Sequence, residues 1–266
     1  MTFLVRVAVL GLGDEGKVLA SELLASGAQV IGFDTGRIKR PPVPVAQTLS
    51  EAVTDSDIVI SLVSSSSASK IADEAAQFLK PGAIFADSNT TTPSVKQKMA
   101  TTLPVGSFVD VAIMGSLADF GKKVPFLISG EGSLSFKEAM VSFGFNVEYL
   151  SDLPGDAASR KLLSNLIQNG LTAVVIDALW AAKSLGIETW AFDHLNKELE
   201  NMDAGKLHSY LSSTARNSKR DSVEISEVIE MLATSHYEST VVNSIELTLS
   251  HVIHGRKIPF AELDRD

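Results

Sequence analysis

A glycine-rich turn near the amino terminus constrains the fold of this chain more than any other feature. Gly11, Gly13 and Gly16 follow the apolar run at residues 5–10 and open a helical pattern at residues 15–26. In such a turn the first glycine permits a tight bend, the second lets a pyrophosphate approach the backbone, and the third lets helix and strand pack closely. The turn predicts a strand–turn–helix unit that binds a dinucleotide through its phosphates.

Short apolar runs alternate with helical patterns through the first 150 residues. They predict strands at residues 5–10, 29–33, 57–63, 83–86, 108–113 and 125–129, and helices at residues 15–26, 66–79 and 93–101. Apolar strands with helices between them are typical of a parallel sheet covered on both faces. Beyond that point only helices are predicted, at residues 156–184, 190–208 and 223–232. The predicted fold class is α/β, with a Rossmann-like doubly wound parallel sheet at residues 1–153 and an all-α domain at residues 154–266.

The acidic residue Asp34 ends the second predicted strand, where a carboxylate can accept hydrogen bonds from ribose hydroxyls. That carboxylate repels a 2′-phosphate and so favours NAD, whereas Arg37 could accommodate the 2′-phosphate of NADP. We therefore expect NAD or NADP as cofactor, with a weak preference for NAD. Asp14 and Glu15 suit the first turn of a helix, although their charge is unfavourable beside a pyrophosphate. The predicted cofactor contacts are Gly11, Leu12, Gly13, Asp14, Glu15, Gly16, Asp34, Arg37, Leu62, Val63, Ser64 and Asn89.

Composition narrows the classes of partner. The 32 acidic and 23 basic residues give a net charge of −9, so the average surface repels nucleic acid and anionic membranes. The absence of cysteine excludes disulfides, thiolate metal sites and cysteine nucleophiles, and the histidines show no metal-ligand spacing. The apolar stretch at residues 171–182 contains Asp177 and is interpreted as a buried helix. We expect a soluble cytoplasmic protein with no metal, no nucleic-acid partner and no membrane partner.

A row of polar residues marks the long predicted helix. Lys161, Asn165 and Asn169 recur every four residues and so share one face. A solvated stripe explains this spacing at least as well as a site does. As a site, a partly desolvated lysine whose pKa is lowered can take the proton from an alcohol during its oxidation. An asparagine one turn away can hold the substrate oxygen in place.

Several of these segments resemble the β-hydroxyacid dehydrogenases, which include 3-hydroxyisobutyrate dehydrogenase, tartronate semialdehyde reductase and the 6-phosphogluconate dehydrogenase group. Residues 11–16 are similar to the family's cofactor turn, residues 57–63 to its next strand, and residues 87–93 to its D-x-S-T-x-x-P segment. Residues 155–165 match its glycine-led helix with K-x-x-x-N. The resemblance implies a reversible hydride transfer between NAD(P) and a small β-hydroxy acid, with Lys161 as general acid/base and Asn165 positioning the reacting oxygen. It also implies a homodimer formed through the helical domain.

The family's substrate motif D-A-P-V-S-G-G is altered in this chain. Met114 stands at the serine position and Ser116 at the second glycine position. We therefore expect a small anionic or polar substrate other than the simplest hydroxy acids, or one that binds in a shifted pose. Two alternatives stay open: an imine reductase, a related type that usually lacks the lysine, and an NAD(P)-binding sensor without catalysis. The predicted substrate contacts are Met114, Gly115, Ser116, Asn169 and Arg220.

Overall fold

A seven-stranded sheet organises the amino-terminal part of the chain. The structure, a computed structural model, describes residues 5–36 and 38–261. The chain forms two compact units, Met1–Leu166 and Ile167–Asp266. The strands of the first unit are β1 (Arg6–Leu10), β2 (Gln29–Phe33), β3 (Ile58–Ser61), β4 (Ile84–Asp87), β5 (Phe108–Ile113), β6 (Pro125–Ser129) and β7 (Asn146–Ser151). Their order in the sheet is β2-β1-β3-β4-β5-β6-β7.

The sheet is mostly parallel, as the sequence predicts. Strands β1 to β5 are parallel to one another, whereas β6 is antiparallel to β5 and β7 is parallel to β6. The sequence does not predict β7, because this edge strand is largely exposed or half-buried and lacks a continuous apolar run. From β1 the chain passes to β2 on one side and then to β3 on the other. This reversal places a ligand crevice at the carboxyl ends of β1 and β3, as in other open α/β sheets.

Helices cover both faces of this sheet. They are α1 (Asp14–Ala25), α2 (Leu49–Val53), α3 (Ala68–Ala76), α4 (Pro93–Thr102), α5 (Leu117–Phe120), α6 (Ser133–Ser142) and the first part of α7 (Asp156–Ser184). The bounds of α7 agree with the prediction from the sequence. The sequence does not predict α2, α5 or α6, and α2 and α5 are too short to show a helical period.

Alternating side chains of β1 enter two separate apolar clusters. Val7 and Val9 pack with Leu19 of α1 on one face of the sheet. Ala8 and Leu10 belong to the cluster on the other face. This period of two, with both faces apolar, explains why the strand reads as one continuous apolar run.

The second unit is helical in its described residues. It contains the rest of α7, together with α8 (Glu188–Glu200), α9 (Ala204–Thr234) and α10 (Thr240–Ile253). The predicted helix at residues 190–208 is wrong as one element, because α8 ends before the Asp203 side chain caps α9 by accepting the Lys206 N–H at 2.7 Å. The predicted helix at residues 223–232 is the last third of α9, and α10 is not predicted.

The apolar stretch within α7 is exposed. Leu171 and Trp180 are both more than half exposed, so the interpretation of residues 171–182 as a buried helix is wrong for this chain. Within the second unit, buried Asp177 of this helix accepts a hydrogen bond from Tyr237 Oη at 2.9 Å. By length and composition α7 could cross a membrane, and 6% of its most apolar window is buried.

Candidate active site

Two close backbone contacts and one open position shape the glycine-rich turn. Gly11 has a φ of +93°, and a Cβ there would lie 2.2 Å from the carbonyl oxygen of Leu62. A Cβ on Gly16 would lie 1.9 Å from the carbonyl oxygen of Gly11, so both positions require glycine. A Cβ on Gly13 would meet nothing within 4 Å. Gly13 therefore leaves room at the start of α1, where amide N–H groups and the helix dipole favour an anion.

The Asp34 carboxylate is tied to this turn. Its Oδ2 accepts the Leu12 N–H at 2.7 Å, and its Oδ1 accepts the Gly36 N–H at 2.8 Å. Asp34 lines a cavity of about 530 Å³ together with Gly11 and Gly13. We call this space the turn cavity. Arg37, which the sequence offers as a contact for NADP, lies outside the described residues.

A second space, which we call the strand-end cavity, opens where β3, β4 and β5 end. Its volume is about 410 Å³. Leu62, Val63 and Ser64 line both this cavity and the turn cavity, so the two share a wall. The strand-end cavity is lined by Glu15, Lys161, Ala158, Gly115 and residues 62–65, 88–91 and 110–113.

Lys161 brings an ammonium group to the strand-end cavity from the second turn of α7. Its Nζ donates a hydrogen bond to the carbonyl oxygen of Ile113 at 2.7 Å, and the residue is half-buried. Ile113 ends β5, so the bond places the lysine head at the edge of the sheet where parallel strands present ligands. The sequence-predicted base thus lies in one cavity with Asn89 and Gly115.

The segment after β4 contributes polar atoms that have no partner in the described chain. Ser88 Oγ, Asn89 Oδ1 and Thr91 Oγ1 are buried and make no hydrogen bond. Buried polar atoms without a partner lower the stability of the fold unless a ligand or water forms hydrogen bonds with them. All three residues line the strand-end cavity. An amide-bearing ring such as nicotinamide supplies both donors and acceptors, so these atoms and the open Gly13 fit an NAD(P) cofactor.

A buried ion cluster lies beneath the same cavity and is not predicted from the sequence. Lys96 Nζ lies 2.6 Å from Asp87 Oδ2 and 3.0 Å from Asp110 Oδ1, and all three side chains are at most 1% exposed. Burial raises the pKa of the Asp87 carboxyl above its ordinary value, and the Lys96 ammonium opposes that shift. The signal in the sequence was a charged residue inside the apolar strand Phe-Val-Asp-Val-Ala-Ile.

Asp110 also holds the start of α7. Its Oδ2 accepts the N–H groups of Gly155 at 3.1 Å and Ala158 at 2.9 Å. Ser129, which is paired with Asp110 across β5 and β6, accepts the Ala157 N–H at 3.1 Å through its Oγ. These bonds fix the first turn of the helix that carries Lys161.

The remaining predicted residues near the turn have varied positions. The Leu12 side chain is buried in the core, and its N–H donates to Asp34. Asp14 is exposed in the first turn of α1, and Glu15 Oε2 accepts the Leu117 N–H at 3.1 Å. Met114 is half-buried and does not line the strand-end cavity, while the Ser116 hydroxyl caps α5.

Three further predicted contacts do not line the strand-end cavity. Asn165 is half-buried on α7, one turn beyond Lys161. Asn169 and Arg220 belong to the second unit. Arg220 lies 3.4 Å from carboxylate oxygens of Asp221 and Glu224. Roles for these residues in substrate binding stay predictions.

Comparisons with known proteins agree with this architecture. An uncharacterized 28.5 kDa protein of Methanothermus fervidus is 24% identical over 258 residues, which cover 93% of this chain and 98% of that one. A conserved protein of unknown function, whose structure is described as similar to 3-hydroxyacid dehydrogenases, is 26% identical with a TM-score of 0.60 and covers 94% of this chain and 98% of its own. The imine reductase of Myxococcus stipitatus in complex with NADP+ is 17% identical, with a TM-score of 0.79 and coverage of 96% and 98%.

A family model matches most of the amino-terminal unit. Residues 6–135 match the NAD binding domain of 6-phosphogluconate dehydrogenase. This segment contains β1 to β6 with the glycine-rich turn, Asp34 and the segment after β4. Over residues 6–135 the chain therefore forms a Rossmann-like NAD(P)-binding domain similar to that of 6-phosphogluconate dehydrogenase.

Proposed function

We propose that this protein is an NAD(P)-dependent oxidoreductase that acts on a small β-hydroxy acid or a related carbonyl compound. The observation that carries the proposal is the position of Lys161. Its ammonium group lies in the strand-end cavity, which shares a wall with the turn cavity beside the dinucleotide-binding turn. This arrangement supports the proposal, because it would bring a proton-transferring group and a nucleotide site together within one unit.

Lys161 acts as the general acid and base. In the oxidation direction its neutral amine takes the proton of the substrate hydroxyl, and in reduction its ammonium returns a proton to the carbonyl oxygen. The bond from Nζ to the Ile113 carbonyl oxygen orients the amine toward the cavity. Asn165, one turn along α7, positions the reacting oxygen.

The cofactor is proposed to bind across the two cavities. When bound, a nicotinamide dinucleotide accepts or supplies the hydride. Gly13 and the first turn of α1 hold the pyrophosphate, Asp34 accepts hydrogen bonds from the adenosine ribose, and Asn89 contacts the nicotinamide amide. The Asp34 carboxylate, which lines the turn cavity, favours NAD over a 2′-phosphorylated cofactor. Titration of the protein with NADH and NADPH measures this preference as a ratio of Kd values.

Substrate contacts are proposed for Met114, Gly115 and Ser116 after β5, and for Asn169 and Arg220 of the helical unit. Gly115 supports this role, since it lines the strand-end cavity with a φ of +148°. The bulky Met114 at the family's serine position argues for a substrate that is not one of the simplest hydroxy acids.

Imine reduction is a second candidate. The Glu15 carboxylate also lines the strand-end cavity, and a carboxylate attracts a protonated imine but repels an anionic acid. In that reaction Lys161 would have no alcohol to deprotonate. The two candidates therefore differ in how turnover depends on this lysine.

A turnover screen separates the candidates. The panel contains β-hydroxy acids, the matching keto acids and cyclic imines, each with NADH, NADPH and their oxidised forms. Oxidation of a hydroxy acid that depends on Lys161 supports the first proposal. Reduction of imines alone supports the second. Micromolar cofactor binding without turnover of any substrate would sink both and indicate a redox sensor.

We also propose that the protein is a cytoplasmic homodimer assembled through its helical unit. Leu171, Trp180, Trp190 and Phe192 are all at least half exposed in a single chain. A soluble protein rarely leaves such side chains uncovered, and a second copy of the chain would cover them. Sedimentation analysis of the purified protein tests this, and a monomer at micromolar concentration would contradict it.

A further inference from the structure

The Lys96 side chain makes three polar contacts in a fully buried position. Its Nζ lies 2.7 Å from the Asp87 carbonyl oxygen, 2.6 Å from Asp87 Oδ2 and 3.0 Å from Asp110 Oδ1. None of these atoms has a part in the proposed chemistry. Burying an ammonium group between two carboxylates carries a large desolvation penalty. The contacts that the cluster makes with the surrounding structure therefore indicate its role.

One side of this cluster supports the segment after β4. The Asp87 carboxylate accepts a hydrogen bond from the Asn89 side-chain amide. The same amide donates to Ser61 Oγ, at the end of β3, at 2.9 Å. Asn89 is therefore fixed at the wall of the strand-end cavity with its Oδ1 unpartnered.

The other side of the cluster supports the helix of the proposed base. Asp110 accepts the N–H groups of Gly155 and Ala158, and Lys161 follows Ala158 by about one helical turn. Gly155 also touches the start of α4, since a Cβ on it would lie 2.9 Å from Pro93 Cβ. The starts of α4 and α7 are thus joined by a backbone contact and by the Lys96–Asp110 ion pair.

We propose that Lys96 is a positioning residue, which joins Asp87 to Asp110 and so holds Asn89 and Lys161 in one arrangement across the strand-end cavity. The inference rests on the proposed role of Lys161. Without the ammonium group, two buried carboxylates would face each other with nothing to bridge them. The Asn89 segment and the start of α7 would then be free to shift independently.

The test separates positioning from simple neutralisation of buried charge. Lys96→Met leaves two carboxylates in the cluster. Lys96→Met combined with Asp87→Asn returns the cluster to its original net charge, and the new amide oxygen can still accept from Asn89. The double variant therefore removes the bridge without adding buried charge. Lys98→Met, at an exposed position on the same helix, is the matched control.

The first measurement is independent of any substrate. Lysine amines of the folded protein are labelled with a limiting amount of acetic anhydride, and the rate at Lys161 is compared with that at exposed Lys123 by mass spectrometry. Besides Lys161, the titratable groups that line the strand-end cavity are Glu15 and Asp110, so all variants are compared at one pH. We expect the relative rate at Lys161 to change by about threefold or more in the double variant and to stay unchanged in Lys98→Met.

The second measurement is turnover with a substrate found in the screen. We expect kcat of the double variant to fall by about tenfold or more, since small displacements of catalytic groups are costly, while the Kd of the cofactor is retained. A double variant that melts at the wild-type temperature but shows altered labelling of Lys161 and a lower kcat supports the positioning role of Lys96. If labelling and kcat both return to wild-type values in the double variant, Lys96 only neutralises charge and the inference is wrong.

The two proposals can fail separately. Absence of turnover by the wild-type protein sinks the proposed function, whereas the labelling experiment still decides whether Lys96 fixes Lys161. If Lys96→Met alone does not fold, the double variant carries the test, since it buries no more net charge than the wild-type protein.

Discussion

The starts of helices α1 and α7 lie in the same unit but are completed in opposite ways. At α1 the N-cap residue is Gly13, and no side chain in the described chain caps the helix. At α7 the first amides are satisfied by Asp110 and Ser129, which reach them from β5 and β6. Both starts carry the partial positive charge of a helix amino terminus. Only the first leaves that charge for an external anion.

The starts of α1 and α7 are similar in structure but serve different functions. The open start of α1 can bind a phosphate, because no side chain among the described residues caps its amides. The filled start of α7 cannot, but its bonds to the sheet fix the position of Lys161. A helix amino terminus therefore indicates a ligand site only when the protein does not satisfy it itself.

Removal of the carboxylate at the filled start should have the largest effect on stability. Asp110→Ala strips the Gly155 and Ala158 amides of their acceptor and leaves Lys96 with one carboxylate. We expect the free energy of unfolding to fall by about 3–5 kcal/mol. Asp14→Ala at the exposed start of α1 is the control and should cost less than about 1 kcal/mol. Chemical denaturation measures both, and equal losses would abolish the distinction between the two helix starts.

Removal of the Lys161 side chain from α7 should affect turnover rather than folding. Lys161→Ala deletes the proposed proton acceptor, so kcat should fall by about a hundredfold or more while the Kd of the cofactor stays within about twofold. Steady-state kinetics and cofactor titration measure the two quantities. Near-normal hydroxy-acid turnover in this variant would remove the lysine from the mechanism.

Closure of the open start should affect binding and leave the fold intact. Gly13 has room for a side chain within the protein, so Gly13→Val is expected to fold, yet its side chain would occupy the space proposed for the pyrophosphate. We expect the Kd of the cofactor to rise by about tenfold or more. Gly16→Ala gives the contrasting case, because its Cβ would lie 1.9 Å from the Gly11 carbonyl oxygen and should destabilise the protein itself. Unchanged cofactor affinity in Gly13→Val would place the phosphates elsewhere.

The open helix start could be predicted from the sequence, because all of its parts are local. The glycine turn, the strand before it and the helix after it lie within a few residues, and strands such as Gln29–Phe33 and Phe108–Ile113 agree to the residue. The position of Lys161 within a cavity beside the turn is also consistent with the sequence motif. Its catalytic role stays a prediction.

The filled helix start could not be predicted, because its parts are distant in sequence. Asp110 and Ala158 are 48 residues apart, and Lys96 sits on a helix whose pattern gives no sign that a lysine is buried. A lysine is almost never fully buried unless it is paired, so its place in the core depends on a partner that only the fold reveals. The prediction that residues 171–182 of α7 are buried was wrong for a related reason. Composition alone does not show whether other parts of the chain pack against an apolar helix face.

Asp57 makes contacts similar to those of Asp110 but is partly exposed to water. Its substitution is predicted to have the smallest effect on stability. Asp57 accepts the Arg6 N–H at 2.8 Å and pairs with Lys80 at 2.6 Å, so it too joins a backbone amide to a lysine. Partial burial raises the pKa of Asp57, but the bonds from Lys80 and from the Arg6 amide outweigh it and leave the pKa below 3.8. A carboxylate with a depressed pKa adds stability above its unfolded pKa, and that stability is lost as pH falls through the folded value.

Asp57→Asn should therefore lower the free energy of unfolding by less than about 1 kcal/mol at neutral pH, because both partners are substantially exposed. The difference from the wild-type protein should shrink once the pH falls below about 4. Denaturant titrations at several pH values measure it, with Asp55→Asn as the neighbouring control, whose Oδ2 lies 3.5 Å from Arg6 Nη1. A loss as large as that of Asp110→Ala would mean that burial does not set the strength of these carboxylate–amide contacts, and that the contrast between the helix starts has another cause.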